Sequence, residues 1–220
     1  MMTTSYNSIH QYAARYTTPE PPLLAQIKQE TQAEVPGAHM IAGHLQGRIL
    51  ATFSYMIKPK RILEIGTYTG YSALCLAEGL DPNGILYTID VDLSLHARVK
   101  KYFEASDKAD QIKYYIGQAL EIIPQIPETF DLVFIDADKK NYANYYDLVI
   151  EKLSPHGFII IDNVLWKGKV VEAEDQDQPI IDKQTQIMTH FNHKVQQDPR
   201  TTQVLFPIRD GLMVVRKNDC

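Results

Sequence analysis

Cysteine is scarce: two in 220 residues, Cys75 and Cys220, supply neither a disulfide framework nor a CxxC metal motif, which fits a reducing compartment. Net positive charge is missing too. Lys and Arg number 22 against 27 Asp and Glu, a formal charge of -5, which excludes the broad basic field of most nucleic-acid binders but not a local basic patch. No apolar run approaches the roughly 18 residues of a membrane span. Residues 1–7 show no basic segment leading into an apolar one, which argues against a signal peptide. Internal repeats and low-complexity stretches are also lacking. What is there, 45% hydrophobic and 22% charged residues, suits an ordinary globular core. The expectation is a single soluble, cytoplasmic domain over residues 1–220 with no membrane partner.

The first third reads as helix. Pro21 and Pro22 open a pattern in which Leu23, Leu24 and Ile27 recur at helical spacing until Pro36-Gly37 stops it. A second helix is predicted over 42–56, with Leu45, Ile49, Leu50, Phe53 and Met56 on one stripe. After Lys58-Pro59-Lys60 the pattern changes to short apolar runs at 61–65, 84–89, 112–116, 131–135 and 157–161, with amphipathic stretches between. Five such runs with long crossovers argue for an α/β fold, a parallel sheet covered by helices. Residues 202–208 and 212–216, flanking Arg209-Asp210-Gly211, read as a terminal antiparallel hairpin. The acidic stretch 170–179 reads as a solvated surface loop.

Gly66 and Gly70 follow the first apolar run and open a helix, where an open α/β sheet presents its ligand crevice. Their spacing is not the G-x-G-x-x-G that cradles a pyrophosphate, which disfavours a dinucleotide. Asp90 ends the second run, where a carboxylate can accept hydrogen bonds from both ribose hydroxyls. Either feature alone is equally well explained, as a tight turn or as a helix cap. The two in register favour a nucleoside without a diphosphate.

Asp136 and the pair Asp162-Asn163 each end an apolar run, which puts them at the same sheet edge. Two carboxylates and an amide are hard oxygen ligands that suit magnesium, manganese or calcium and lack the imidazole or thiolate zinc prefers. Taken singly, each aspartate is more readily a helix cap or an ion-pair partner of a neighbouring lysine than a metal ligand. Lys139, three residues after Asp136, is a candidate general base if the adjacent cation and partial burial depress its pKa, and otherwise a solvated surface lysine of a Lys-Lys pair. His190 and His193 are spaced i, i+3 but have no acidic or cysteine partner at metal spacing. Ser72, in Gly70-Tyr71-Ser72-Ala73-Leu74, is not a G-x-S-x-G elbow, so a hydrolase is disfavoured.

The run Leu63-Glu64-Ile65-Gly66-Thr67-Tyr68-Thr69-Gly70-Tyr71-Ser72, then Ile89-Asp90, Phe134-Ile135-Asp136-Ala137-Asp138-Lys139 and Ile161-Asp162-Asn163-Val164-Leu165-Trp166, resembles the cation-dependent O-methyltransferases of the catechol and caffeoyl-CoA type. The resemblance runs from about Met40 to Lys217, and residues 16–20 and 43–48 resemble the family's smaller bacterial members. It implies a class I methyltransferase, Rossmann-like fold: a mostly parallel seven-stranded sheet, helices on both faces, a C-terminal antiparallel hairpin, and N-terminal helices over 1–57 covering the site of a 58–220 core. It implies S-adenosylmethionine contacts at Met40, Ala42, Glu64, Gly66, Thr67, Tyr68, Ser72, Asp90, Gly117, Gln118, Ala119 and Asp136. It further implies a divalent cation on Asp136, Asp162 and Asn163, catalytic roles for Lys139 and Asp136, and a homodimer. The acceptor implied is a small molecule with vicinal hydroxyls. The sequence departs from the family at Lys167-Gly168-Lys169 and at Arg209, where relatives commonly carry a small residue. Positive charge near the pocket mouth would favour an anionic acceptor such as a caffeoyl ester, although an unrelated, solvated lysine pair explains these positions at least as well. Some bacterial relatives methylate a hydroxylated uridine in transfer RNA, and Lys139, Lys140, Lys167, Lys169 and Arg209 could form a phosphate track for that alternative, against the overall charge.

Overall fold

The computed structural model describes residues 6–174 and 182–218. Five strands, β1 (Arg61–Ile65), β2 (Ile85–Asp90), β3 (Ile112–Ile116), β4 (Phe130–Ile135) and β5 (Leu153–Asp162), run parallel. Two more, β6 (Thr201–Phe206) and β7 (Leu212–Lys217), pair antiparallel with each other, and β7 pairs antiparallel with β5. The sheet order is β3-β2-β1-β4-β5-β7-β6. The expected strands and hairpin are therefore present, with ends moved by one or two residues. Only β5 begins well early, because its register with β4 jumps from Phe130↔Leu153 to Leu132↔Phe158.

Alternation along the strands divides the apolar residues between two faces. Leu63, Ile65, Val133 and Ile135 point into one core with Tyr142, Tyr146 and Phe191. Ile62, Leu132 and Phe134 point into the other with Ile27, Leu50 and Leu74. Both faces need a cover, and the apolar runs read as continuous for that reason. One face is covered by α2 (Pro22–Glu34), α3 (Gly43–Ile57), α4 (Tyr71–Ala77) and α5 (His96–Glu104). The other carries α6 (Ala119–Ile122), α7 (Tyr142–Glu151), α8 (Lys169–Glu174) and α9 (Lys183–Gln196). Ahead of them all lies α1 (Tyr6–Arg15).

Two sequence expectations are corrected. Met56 does not belong to the buried stripe of α3; it is 75% exposed, and the face turned inward is Gln46, Gly47, Leu50, Ala51 and Ser54. Small residues win that face because α4 packs close: a Cβ on Gly47 would stand 2.7 Å from Tyr71 and 2.8 Å from Cys75 Sγ. The stretch 170–179 is not simply a loop, since α8 occupies its beginning. Val170 explains this, being buried in the same core as Met188 and Phe191 of α9; residues 175–179 lie outside the described residues. Among the described residues no helix is long and apolar enough to cross a membrane.

The chain leaves β1 for β2 and β3, then returns to β4 on the other side of β1. That reversal opens a crevice at the carboxyl ends of β1 and β4. Ladder hydrogen bonds continue past the strand ends, from Gly66 N to Ile89 O (2.9 Å), Asp136 N to Ile65 O (2.9 Å) and Gly117 N to Asp90 O (2.8 Å). The three post-strand loops are thereby held side by side.

Candidate active site

A cavity of about 1120 Å³ runs along this edge, from Asp90 and Gly117 at one end to Asp162 and Arg209 at the other. Of the residues singled out from sequence, Met40, Ala42, Gly66, Thr67, Tyr68, Ser72, Asp90, Gly117, Gln118, Ala119, Asp136, Lys139, Asp162 and Asn163 all border it. Glu64 is the exception: it is fully buried and stands behind the wall, where it accepts a hydrogen bond from Thr88 Oγ1 at 2.5 Å. Burial pushes the Glu64 carboxyl up to about 8, against the opposing pull of hydroxyls at Thr88 and Ser72. Thr67 borders the cavity through its loop, while its hydroxyl is engaged with Thr88 Oγ1 at 2.6 Å.

At the Asp90 end, Tyr68 N donates to Asp90 Oδ2 (2.6 Å) and Asp92 N to Asp90 Oδ1 (2.9 Å). The cap of the next helical turn is Asp92, whose Oδ1 accepts from Ser94 N at 2.8 Å. Asp90 is thus released from the capping role that would have explained it without a ligand. Gly66 has φ +103°, and a Cβ there would sit 1.9 Å from Asp136 O. Only glycine lets the loops after β1 and β4 lie this close.

At the other end, Asp136, Asp162 and Asn163 line the same cavity. Asp162 is 5% exposed, and burial together with the nearby charge of Asp136 pushes its carboxyl up to about 7. Two hydrogen bonds fix it, from Gln46 Nε2 to Oδ2 (2.7 Å) and from Asn163 N to Oδ1 (2.7 Å). Asn163 adopts φ +61°, a left-handed conformation that asparagine tolerates better than most side chains. Among the described residues no three His, Cys, Asp or Glu side chains form a metal cluster; the oxygen groups offered at this end of the cavity are the Asp136 and Asp162 carboxylates and the Asn163 amide.

Lys139 is not a solvated surface lysine. Its side chain is 13% exposed, and Nζ lies 3.1 Å from Asp136 Oδ1, 2.6 Å from Tyr142 Oη and 4.7 Å from the centre of the Tyr142 ring. Tyr142 is buried and donates onward to Asp162 O at 3.2 Å. Burial holds its phenol well above the ordinary pKa, so it remains a proton donor.

The other cations are arranged differently from the expectation. Lys167 and Arg209 border the cavity, but Lys169 turns away and pairs with Asp182 Oδ2 at 2.8 Å. Arg209 Nη1 donates to Gln46 Oε1 at 2.7 Å, and both Nη1 and Nη2 reach Ile41 O at 3.4 Å. Lys140 lies 3.9 Å from Asp138. His190 and His193 are exposed on α9, away from this cavity.

Sequence reasoning missed Gln46, Tyr142 and Asp210. Gln46 shares i, i+4 spacing with Leu50 and Ser54 on the buried face of α3. A glutamine at a core position is the signal that could have found it. Asp210 accepts from Asn163 Nδ2 at 3.3 Å and from Lys167 N, a contact between loops for which no local pattern gives warning.

Residues 13–218 match a family model described as O-methyltransferase. Caffeoyl-CoA O-methyltransferase 1 of Eucalyptus globulus is 30% identical over 204 residues, covering 90% of this chain and 82% of that protein. Catechol O-methyltransferase domain-containing protein 1 of Mus musculus is 29% identical over 216 residues, covering 96% of this chain and 80% of that protein. The SAH-bound crystal structure of the Podospora anserina methyltransferase PaMTH1 superposes with a TM-score of 0.88 at 27% identity, over 100% of this chain and 99% of that one.

Proposed function

Because the chain belongs to the O-methyltransferase family, we propose that it moves a methyl group from S-adenosylmethionine to one hydroxyl of a catechol-like small molecule, with the help of a divalent cation. The observation that carries this reading is that Asp136, Asp162, Asn163 and Lys139 share one wall of the cavity that also reaches Gly66 and Asp90. Bound S-adenosylmethionine supplies an electrophilic sulfonium methyl. Magnesium, manganese or calcium would supply charge that acidifies a chelated hydroxyl and orients the ring bearing it.

The residues fit both groups. Gly66 leaves room at the loop, and Asp90 keeps acceptor capacity for ribose hydroxyls after its two backbone contacts. Gly117, Gln118 and Ala119 border the region expected for adenine, and Met40 and Ala42, which line the same cavity, would close over the methionine part. Asp136 and Asp162 repel each other in a buried setting, an arrangement that a cation relieves. Asn163 adds a neutral oxygen ligand. Displacement at a methyl carbon demands little beyond alignment and a deprotonated acceptor. In its neutral amine form, Lys139 Nζ, which also reaches Tyr142 Oη, is placed to take the acceptor proton.

Three of the five cations offered for a phosphate track, Lys139, Lys140 and Lys169, are paired with carboxylates, and Arg209 is bonded to Gln46 and Ile41. That favours a small acceptor over transfer RNA. The test is labelled methyl transfer to a vicinal diol, its two monohydroxy counterparts and bulk transfer RNA. The diol should be labelled at least tenfold faster than either monophenol, and RNA not at all. Equal labelling of monophenols contradicts chelation, and labelling of RNA alone moves the acceptor to a nucleoside.

A further inference from the structure

Two neighbouring residues of the turn between β6 and β7, Arg209 and Asp210, reach the candidate cation site through other side chains. Each meets an amide, and the two meet it from opposite chemical sides. A guanidinium only donates hydrogen bonds, so Arg209 Nη1 at 2.7 Å obliges Gln46 to present Oε1 to it. The amide's other end, Nε2, then has one direction left and donates to Asp162 Oδ2 at 2.7 Å. A carboxylate only accepts, so Asp210 Oδ2 obliges Asn163 to present Nδ2, at 3.3 Å, and leaves Asn163 Oδ1 as the atom available to a cation.

The turn is itself tied down. Leu165 N donates to Asp210 O at 2.8 Å, Val164 N to Gly211 O at 3.4 Å, and Asp210 Oδ1 accepts from Lys167 N. Gln46 is 1% exposed and Asp162 5%, so little water reaches either side chain to substitute for a lost partner. Without Arg209 the sense of the Gln46 amide rests on Asp162 alone, and each turn-over would direct its oxygen at a carboxylate that already faces Asp136.

We propose that Arg209 and Asp210 are positioning residues of the cation site: acting through Gln46 and Asn163, they set the two amides in opposite senses. Asp162 thereby always receives an N–H, and Asn163 always offers an oxygen. The inference rests on the reading above that Asp136, Asp162 and Asn163 hold a divalent cation. It gives Arg209, first suspected of meeting an anionic acceptor, a different task.

The experiment is calorimetric titration of manganese and magnesium into the full chain, with the affinity for SAH measured separately in chelator. The wild type is compared with Gln46→Met, Asp210→Asn, Arg209→Met, Arg209→Lys and the double Gln46→Met/Arg209→Met. Losing partners behind a metal ligand weakens affinity by about 10- to 100-fold, and that loss is expected for Gln46→Met, Asp210→Asn and Arg209→Met. Arg209→Lys, which still donates, should stay much nearer the wild type. SAH affinity of Gln46→Met and Asp210→Asn should remain within about twofold, which also shows that they fold. The double variant should bind the cation no more weakly than Gln46→Met alone, because Arg209 acts through Gln46. Unchanged cation affinity in the single variants overturns the proposal, as does a parallel loss of SAH affinity or additive losses in the double. If the wild type itself binds no divalent cation, the functional reading fails and this inference with it.

Discussion

A methyl group at Gly66 would stand 1.9 Å from Asp136 O, in a backbone conformation, φ +103°, that side chains rarely adopt. Strain and overlap act together, so Gly66→Ala should lower stability by about 3 kcal/mol or more and abolish SAH binding, read by urea unfolding and calorimetry. Glu64 gives a pH signature. Burial raises its folded pKa to about 8, from an ordinary value of 4.5, and burial with Asp136 raises Asp162 to about 7 from 3.8. Through these two groups the folded state holds more protons than the unfolded state between about pH 3.8 and 8, so the stability they contribute falls as pH rises through that window. Asp198, held down to about 2 by Arg200, contributes its own loss only in stronger acid, outside that window. Urea midpoints in chelator should therefore fall from pH 5 to pH 8, and Glu64→Gln should flatten the slope. A wild-type curve that is flat or rising over this range contradicts the assignment. Site residues were legible where each directly follows an apolar run, as Gly66, Asp90, Asp136 and Asp162 do. Gln46 was not, since its partner Asp162 lies 116 residues away and only the fold brings them together.

At the scale of elements, α3 shows how packing overrides pattern. The expected stripe followed the largest apolar residues as far as Met56, yet the buried face is chosen by the closeness of α4 and carries Gly47 and Ser54. Ser54 Oγ donates to Leu76 O at 2.6 Å, so its polar group is matched across the helix contact. Gly47→Ala tests this account because two effects oppose each other. Helix propensity favours alanine by about 1 kcal/mol, while overpacking against Tyr71 and Cys75 costs about 1–3 kcal/mol. Net destabilisation of about 1 kcal/mol is expected in chemical unfolding, and a stabilised variant would show that α3 and α4 are looser than described. The strands were read closely because both of their faces are apolar, which leaves little choice of register. The helical start of the acidic stretch at residue 170 was not, because it depends on Val170 alone being covered by α9.

Across the whole molecule, a charge of -5 leaves positive potential near the cavity to a few residues. Lys139 and Arg209 are engaged within the chain and Lys140 lies 3.9 Å from Asp138, which leaves Lys167 as an exposed bordering cation open to an acceptor. An exposed charge of this kind is worth no more than about 1 kcal/mol and is screened by salt. Lys167→Ala should accordingly raise KM for an anionic catechol by about fivefold at low salt and leave a neutral catechol unchanged. A fall in kcat for both would instead place Lys167 in the reaction itself. The central claim is that methyl transfer depends on a divalent cation held by Asp136, Asp162 and Asn163. The direct measurement is labelled methyl transfer to a vicinal diol during chelator titration and magnesium add-back, in the wild type and in Asp136→Ala. The account predicts that chelator abolishes wild-type labelling, that magnesium restores it, and that Asp136→Ala stays inactive in either condition. Labelling that survives chelator, or an active Asp136→Ala, would contradict it.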